Sequence, residues 1–252
     1  FLKWLGISVH DNIPAGRFAT AKVAAKIAVD EAGWQIQNVK GNVDTSAFTG
    51  AFTGGFENPF VSSVVLDIDQ VNLDAYLPKS TASSSNKDDV NGDSANNADL
   101  FPEANIDFAF TSKQLLWNNK RFNNIALKGR IKPKRIDINT FAASYGGGSL
   151  TTSAAAELTN GNVIRYEVDT DLYEWPLDML RDGVPASAQY IRDLNISDIT
   201  GNFSLSGPQD NLRLIADVQH GRVSEWALSG DLGLTDEGLS KASLQGKFKH
   251  QN

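Results

Sequence analysis

The chain of 252 residues contains no cysteine, one methionine and three histidines. The missing thiols exclude a disulfide framework, a thiolate metal site and a cysteine nucleophile, and they leave no thiol usage from which to infer the cellular compartment. The three histidines, His10, His220 and His250, stand in polar or turn-like surroundings, and no G-x-S-x-G motif is present. We therefore expect surface histidines and predict that the chain is not an enzyme.

Long apolar runs and an excess of positive charge are also missing. No run approaches the about 18 apolar residues that cross a bilayer as a helix. The chain begins with Phe1, which predicts a segment of a longer protein whose membrane anchor, if present, lies outside these residues. The 30 acidic residues outnumber the 23 basic residues, and the resulting net charge of -7 disfavours nucleic acid as a partner.

What the chain does contain is repeated alternation of apolar and polar residues, as in residues 23–29, 64–68 and 212–218. A period of two is typical of β-strands with one apolar and one polar face. We predict that the alternating apolar residues of several strands share one apolar face. The candidate residues for this face are Ile106, Phe108, Phe110, Leu127, Ile136, Ile138, Ile164, Tyr166 and Val168.

Turn signals separate these alternating runs and favour hairpins. Asn160-Gly161-Asn162 and Gly207-Pro208 are typical of tight connections between antiparallel strands. Short helices are predicted only at residues 73–77 and 177–181. The predicted fold class is all-β: a mostly antiparallel meander that forms an elongated curved sheet, a β-groove or a sandwich, with a few short helices.

Residues 79–99 are rich in Ser, Asn and Asp and have almost no apolar side chains, which predicts a flexible loop. This loop separates a first β unit, residues 1–78, from a second, residues 100–252, although the two could share one continuous sheet. Asp89, Asn91 and Asp93 alternate like the start of a calcium loop. Because Gly92 comes two positions early and Leu100 replaces the bidentate glutamate, we predict no metal site and no cofactor.

The sequence evidence for other catalytic or ligand-binding sites is also weak. Asp67, Asp69 and Asp74 are close in sequence, but Asp67 and Asp69 share one strand face, as expected for solvated carboxylates rather than a glycosidase pair. Residues 146–148 are three glycines without a following helix or lysine, which predicts a bulge or sharp bend rather than a phosphate cradle. The five tryptophans are spread singly along the chain and are predicted to anchor the core or its rim.

Three segments together resemble the AsmA family, and more broadly the AsmA and TamB class of elongated periplasmic proteins. They are VVLDIDQVNLDAYLP at residues 64–78, the strand, turn and Gly-rich pattern within residues 104–172, and the pattern at residues 194–218. The resemblance rests on the order of these segments. It implies a periplasmic β structure of a Gram-negative bacterium, anchored in the inner membrane through its parent protein and associated with phospholipid movement towards the outer membrane.

The resemblance implies phospholipid acyl chains as the ligand, with components of the inner and outer membranes as further partners. The predicted function is a non-enzymatic lipid-binding or lipid-transport groove that supports phospholipid transfer and outer-membrane biogenesis. A structural or adhesive β-sandwich module without a ligand is the alternative. Sheet shape distinguishes the two, because a second sheet would fill the apolar face, whereas an uncovered apolar face can accept a guest.

Overall fold

The computed structural model describes residues 20–56, 61–76, 105–159, 162–177, 197–208, 210–220, 224–235 and 238–250. Within them, thirteen strands form one open sheet whose spatial order follows the chain order. The all-β prediction is confirmed, and the described strands form one sheet rather than two packed sheets. The strands are β1 (Ala21–Val29), β2 (Gly33–Val43), β3 (Ser46–Gly55), β4 (Val61–Asn72), β5 (Asn105–Trp117), β6 (Lys120–Lys132), β7 (Arg135–Tyr145), β8 (Gly148–Thr159), β9 (Asn162–Pro176), β10 (Asp198–Gly207), β11 (Leu212–His220), β12 (Ser224–Thr235) and β13 (Gly238–His250).

All neighbouring strands of this sheet are antiparallel except β4 and β5, which run parallel with Val64 beside Phe108. Parallel neighbours need a crossover connection, whereas antiparallel neighbours need only a turn. Residues 77–104 of the connection between β4 and β5, including the predicted loop at residues 79–99 and the Asp89 to Asp93 motif, lie outside the described residues. The division into two units stays a prediction, and strands from both sides of it belong to one sheet.

Two of the hairpins are closed by two-residue turns with positive φ at both central positions. Asn118 and Asn119 have φ of 52° and 59° between β5 and β6, and Gly146 and Gly147 have φ of 58° and 96° between β7 and β8. Asparagine and glycine tolerate this left-handed conformation, and the turn it produces matches the twist of the flanking strands. The bulge or sharp bend predicted for the three glycines is therefore a hairpin turn at Gly146 and Gly147, and Gly148 begins β8.

The predicted helix at residues 73–77 is a single 3-10 turn, Leu73–Ala75, which is capped by the Asn72 side chain. Its Asp74 carboxylate accepts the backbone N–H of Asn119 at 2.8 Å and also that of Asn118. This contact ties the end of β4 to the β5–β6 turn. The second predicted helix, residues 177–181, lies outside the described residues after position 177.

Three bulges with positive φ, together with a register shift between Ile138 and Phe141 in β7, change which side chains face the same way. Asn38, Asn124 and Glu174 have φ of 52°, 53° and 46° and lie where the pairing register shifts. Each bulge adds one residue, so apolar residues three positions apart fall on the same face of the sheet. The pairs aligned in this way are Ile36 and Val39, Phe122 and Ile125, and Leu172 and Trp175.

The best-buried core lies at one end of the central strands, and we call it the aromatic end. Its members, Phe122, Ile125, Ala143, Leu172, Trp175 and Ile199, are each 8% exposed or less. An aromatic series crosses it, with ring centroids 6.3 Å apart for Trp117 and Phe122, 5.1 Å for Phe122 and Tyr145, and 6.0 Å for Tyr145 and Trp175. Trp175 is thus a core residue, and the exposed Trp117 lies at the rim.

Candidate functional site

One row of cross-strand partners carries only apolar residues and glycine across all thirteen strands. Partners in register project their side chains to the same side of a sheet, so the members of such a row share a face. We call this row the apolar row, and it includes the predicted residues Phe108, Ile138 and Val168. In strand order it is Ile27, Ile36, Phe52, Val64, Phe108, Gly129, Ile138, Ala154, Val168, Leu205, Leu214, Gly230 and Leu244.

Two flanking rows hold five more of the predicted residues. Ile106, Ile136 and Tyr166 belong to a row on one side of the apolar row, linked through Ile131 and Ala156. On the other side, Phe110 pairs with Leu127. Ile164 differs from the other eight, because it lies at a register shift between β8 and β9 and is 48% exposed.

The apolar face is accessible within the part of the chain that the structure describes. The eight aligned candidate residues are half-buried rather than buried. No second layer of described strands packs on this face, since the substantial contacts of each strand are with its neighbours in the sheet. A surface of this kind offers van der Waals contact and removal from water to an apolar guest.

Aromatic rings cover the glycines of this face. A Cβ added to Gly129 would lie 2.6 Å from Cζ of Phe108, and one added to Gly54 would lie 2.6 Å from the indole of Trp34. Each ring therefore occupies the space that a side chain on the neighbouring strand would fill. Glycine at these positions lets the rings lie across the sheet and keeps the apolar surface continuous.

Three hydroxyl side chains on the apolar face form hydrogen bonds with one another or with the backbone. The hydroxyls of Thr152 and Thr170, next to the apolar row, are 3.0 Å apart, and Thr170 is buried. The buried Ser112 hydroxyl donates to the carbonyl of Gln114 at 2.9 Å. These three hydroxyls therefore need no hydrogen bond from a ligand.

The opposite face carries a matching row, which we call the polar row and which is polar except for Ala28 and Ala155. Asp107 accepts hydrogen bonds from Nε and Nη2 of Arg130, the second at 2.9 Å, and the hydrogen bond from Arg130 lowers the pKa of the Asp107 carboxyl. In strand order the polar row is Ala28, Gln35, Thr53, Ser63, Asp107, Arg130, Asp137, Ala155, Glu167, Ser206, Arg213, Asp231 and Ser243.

Arg135 joins several carboxylates on this polar face. Its guanidinium lies 2.6 Å from Asp137 and 3.4 Å from both Glu157 and Glu167. Burial alone would raise the pKa of Asp137, but hydrogen bonds from Arg135 and Lys132 outweigh it and lower that pKa. The cations and carboxylates of the central strands therefore neutralise each other.

A cleft of about 640 Å³ opens on the polar face over the central strands. It is lined by equal numbers of cations and carboxylates, many of them in ion pairs, so it offers little unbalanced charge to a ligand. The charged lining residues are Asp107, Lys128, Arg130, Lys132, Arg135, Asp137, Glu167 and Asp169. The cleft is therefore a weaker candidate site than the apolar face.

The residues that the sequence analysis considered as catalytic candidates form hydrogen bonds within the sheet. Asp67 accepts from the Thr111 hydroxyl, Asp69 accepts the Ala47 N–H at 2.8 Å, and Nδ1 of His220 lies 2.9 Å from the Asp198 carbonyl. The described residues contain no group of three or more acidic or histidine side chains placed to hold a metal ion. Among the same residues, no helix is long and apolar enough to span a bilayer.

Several site residues that the sequence did not single out belong to strands outside β5–β9. Ile27, Val64, Leu214 and Leu244 lie in alternating runs, but the runs alone do not say that they align with Phe108. Only the pairing register places them in one row. The sequence signal for these residues is their period of two, which identifies the apolar face of each strand but does not say how neighbouring strands align.

Comparison of the chain with protein-family models, with curated proteins and with solved structures gave no match. The resemblance to the AsmA family stays a prediction that rests on residues 64–78, 104–172 and 194–218. The all-β fold and the uncovered apolar face stand independently of it.

Proposed function

We propose that this chain is a non-enzymatic lipid-binding segment of an AsmA-like protein, which supports phospholipid transfer and outer-membrane biogenesis. The observation that carries the proposal is the apolar row, which crosses thirteen strands without a polar side chain. The proposed ligands are phospholipid acyl chains. The periplasmic location, the anchor in the inner membrane through the parent protein and the contacts with components of both membranes follow from the resemblance alone.

The energetics of acyl chains favour such a face. Each CH₂ group exposed to water costs about 0.8 kcal/mol, so a two-chain lipid needs a continuous apolar surface to leave a bilayer. Twelve interstrand spacings of about 4.8 Å give the apolar row a length of roughly 58 Å. One leaflet of a hydrocarbon core of about 30 Å is roughly 15 Å deep, so the row is long enough for several acyl chains end to end.

The two faces of the sheet would have different roles in a lipid carrier: one contacts acyl chains and the other contacts water. Acyl chains would lie against the apolar row, while head groups remain in water at its open side. The polar row and its ion pairs, such as Arg130 with Asp107, keep the opposite face hydrated. This arrangement binds hydrocarbon without requiring a catalytic or metal-binding group.

The proposal is tested by placing a charge on the apolar face. Phe108→Asp and Tyr166→Glu should abolish the recovery of co-purified phospholipid in native mass spectrometry, because an unpaired ion in contact with hydrocarbon is strongly unfavourable. They should also prevent crosslinking to a phospholipid that carries a photoreactive acyl chain. Because the face is open to water, we expect the sheet to remain folded in both variants.

The matched control is Ala109→Asp, which introduces the same charge beside Phe108 but on the polar face. Its cross-strand partner is Lys128, so the new carboxylate gains an ion-pair partner. This variant should bind lipid like the parent chain. The proposal fails if the parent chain yields neither co-purified nor crosslinked lipid. Unfolding of both inward variants would then favour the structural module without a ligand.

A further inference from the structure

The turn between β6 and β7 is strongly basic. It reads Lys132-Pro133-Lys134-Arg135, and Lys132 pairs with Arg135 across it at the end of the sheet opposite the aromatic end. Between Asp107 and Asp137 the chain has eight cations and no carboxylate, although its net charge is -7. Positive charge is therefore concentrated on β5, β6 and the turn that follows them.

The other charged hairpin connections at this end of the sheet are acidic, and none of them contains lysine or arginine. Their acidic residues are Asp30 and Glu31 between β1 and β2, Glu57 between β3 and β4, Asp210 between β10 and β11, and Asp236 and Glu237 between β12 and β13. An anion that moves along this end of the sheet would therefore be attracted at the β6–β7 turn and repelled on either side of it.

The cations of this turn differ in their partners. Lys132 lies 3.0 Å from Asp137, and Arg135 lies 2.6 Å from the same carboxylate. Lys134 is exposed, and no carboxylate among the described residues forms an ion pair with it. Its carbonyl accepts the N–H of Leu158 at 2.9 Å, which fixes the turn against β8. The ammonium group of Lys134 is thus the charge of the turn that a ligand can use.

Lys134 lies at the border of the apolar face. The last apolar pair before the turn is Ile131 with Ile136, so hydrocarbon on this face would end within a few residues of Lys134. A central residue of a two-residue turn lies outside the alternation of the strands, and its flexible side chain can reach either face of the sheet. Lys128 differs, because it lies within β6 opposite Ala109 on the polar face.

A hydroxyl group lies at the same border. Tyr166 belongs to the row of Ile136, to which it is linked through Ala156, and its side chain is half-buried. Its hydroxyl has no hydrogen bond to another described residue. Two interstrand spacings of about 4.8 Å separate Tyr166 from Ile136. A phosphate group over β8 would therefore lie between the side chains of Lys134 and Tyr166.

We propose that Lys134 and the Tyr166 hydroxyl bind the phosphate of an anionic phospholipid whose acyl chains lie on the apolar face. The inference rests on the proposed lipid-binding function and adds the class of lipid and the place of its head group. A zwitterionic head group carries a cation beside its phosphate, and Lys134 would repel that cation, so an anionic head group is favoured. The long apolar row thus has one defined position for a head group, near its centre.

The test measures the affinity of the full chain for phosphatidylglycerol and for phosphatidylcholine with the same short acyl chains, by titration calorimetry below the micelle concentration. The parent chain should bind phosphatidylglycerol about threefold to fivefold more tightly, which is the effect of one exposed ion pair. Lys134→Glu should remove or reverse this preference. Tyr166→Phe should weaken the binding of both lipids about threefold, because it removes one hydrogen bond to the phosphate.

The matched control is Lys113→Glu, which makes the same change of net charge at an exposed position of β5 away from the turn and should keep the preference. Both lysines are exposed, so neither substitution removes core packing. If the parent chain binds neither lipid, the proposed function fails and this inference fails with it. The inference alone is overturned if the lipids bind equally, if Lys134→Glu keeps the preference, or if Lys113→Glu loses it.

A competition experiment distinguishes a lipid head group from free phosphate. Excess inorganic phosphate at constant ionic strength should leave the preference for phosphatidylglycerol in place, because the acyl chains hold the lipid on the apolar face. Loss of the preference would assign the turn to free phosphate and overturn the inference. Unchanged affinities in Tyr166→Phe would overturn the role of its hydroxyl.

Discussion

The aromatic end and the apolar row lie on the same face of one sheet but differ in burial. The residues of the aromatic end, such as Phe122 and Trp175, are almost completely removed from water. Phe108 and Ile138 of the apolar row are only half-buried. Because hydrophobic stabilisation scales with the area removed from water, the aromatic end supports the fold, and the apolar row retains surface that a ligand can cover.

Local backbone geometry explains the difference. The bulges at Asn124 and Glu174 bring Phe122 and Trp175 onto the apolar face, where they pack with Tyr145. The tight turns at residues 118–119 and 146–147 close two hairpins at the same end. Among the described residues, no tight turn and no bulge with positive φ lies beside Phe108 or Val168, although β7 has a register shift directly after Ile138. Extra residues and tight turns therefore concentrate packing at one end.

The largest expected effect comes from the same substitution made in each region. Phe122→Ala should lower the free energy of unfolding by about 3–5 kcal/mol, because it removes a buried ring and leaves a cavity. Phe108→Ala should lower it by about 1–2 kcal/mol, since the half-buried ring gives up less contact and water can enter. Urea denaturation followed by tryptophan fluorescence measures both values.

Equal losses for Phe122→Ala and Phe108→Ala would contradict the comparison and would mean that the apolar row is packed like a core. Tyr166→Ala provides a second half-buried position on a different strand. We expect its effect to resemble that of Phe108→Ala.

A smaller effect is expected at the turn that closes the aromatic end. Asp74→Ala removes the carboxylate that accepts the N–H groups of Asn118 and Asn119, and should lower the free energy of unfolding by about 1 kcal/mol. Hydrogen exchange at these two amides should accelerate, while exchange in β9 should not change. Asp74→Asn retains one acceptor oxygen and should have an intermediate effect. Unchanged exchange in Asp74→Ala would show that the contact does not hold the turn.

The smallest effect is expected on the polar face and depends on pH. Arg130 lowers the pKa of Asp107 in the folded chain, so the folded state favours the ionised carboxylate. This contribution is present above the unfolded pKa of about 3.9 and is lost as the pH falls below it towards the folded value. Asp107→Asn should therefore reduce the loss of stability below about pH 4. The change should be slight, because the pair is exposed to solvent.

Thermal unfolding between pH 2 and pH 7 checks this expectation, with Asp171→Asn on the same face as the control. If the parent chain and the Asp107→Asn variant lose the same stability as the pH falls, the pair of Asp107 and Arg130 has no role in stability. The comparison between regions would then rest on apolar packing alone.

The sequence by itself determined the all-β class and the separation of apolar and polar faces within single strands. These features are local, because a period of two assigns opposite faces to neighbours such as Tyr166 and Glu167. The shared face of eight of the nine candidate residues follows from the period of two within each stretch of strand, although β7 has a register shift between Ile138 and Phe141. Ile164 departs from the pattern because a register shift lies opposite it.

Only the tertiary structure decided which strands are neighbours and in which register they pair. The parallel contact of Val64 with Phe108 joins strands separated by a long segment, and no local pattern specifies that contact. A bulge of one residue reverses the direction of every following side chain, so the spacing of Leu172 and Trp175 does not by itself predict a shared face. The apolar row and the aromatic end arise from hydrogen bonds between strands, and sequence periodicity does not encode those bonds.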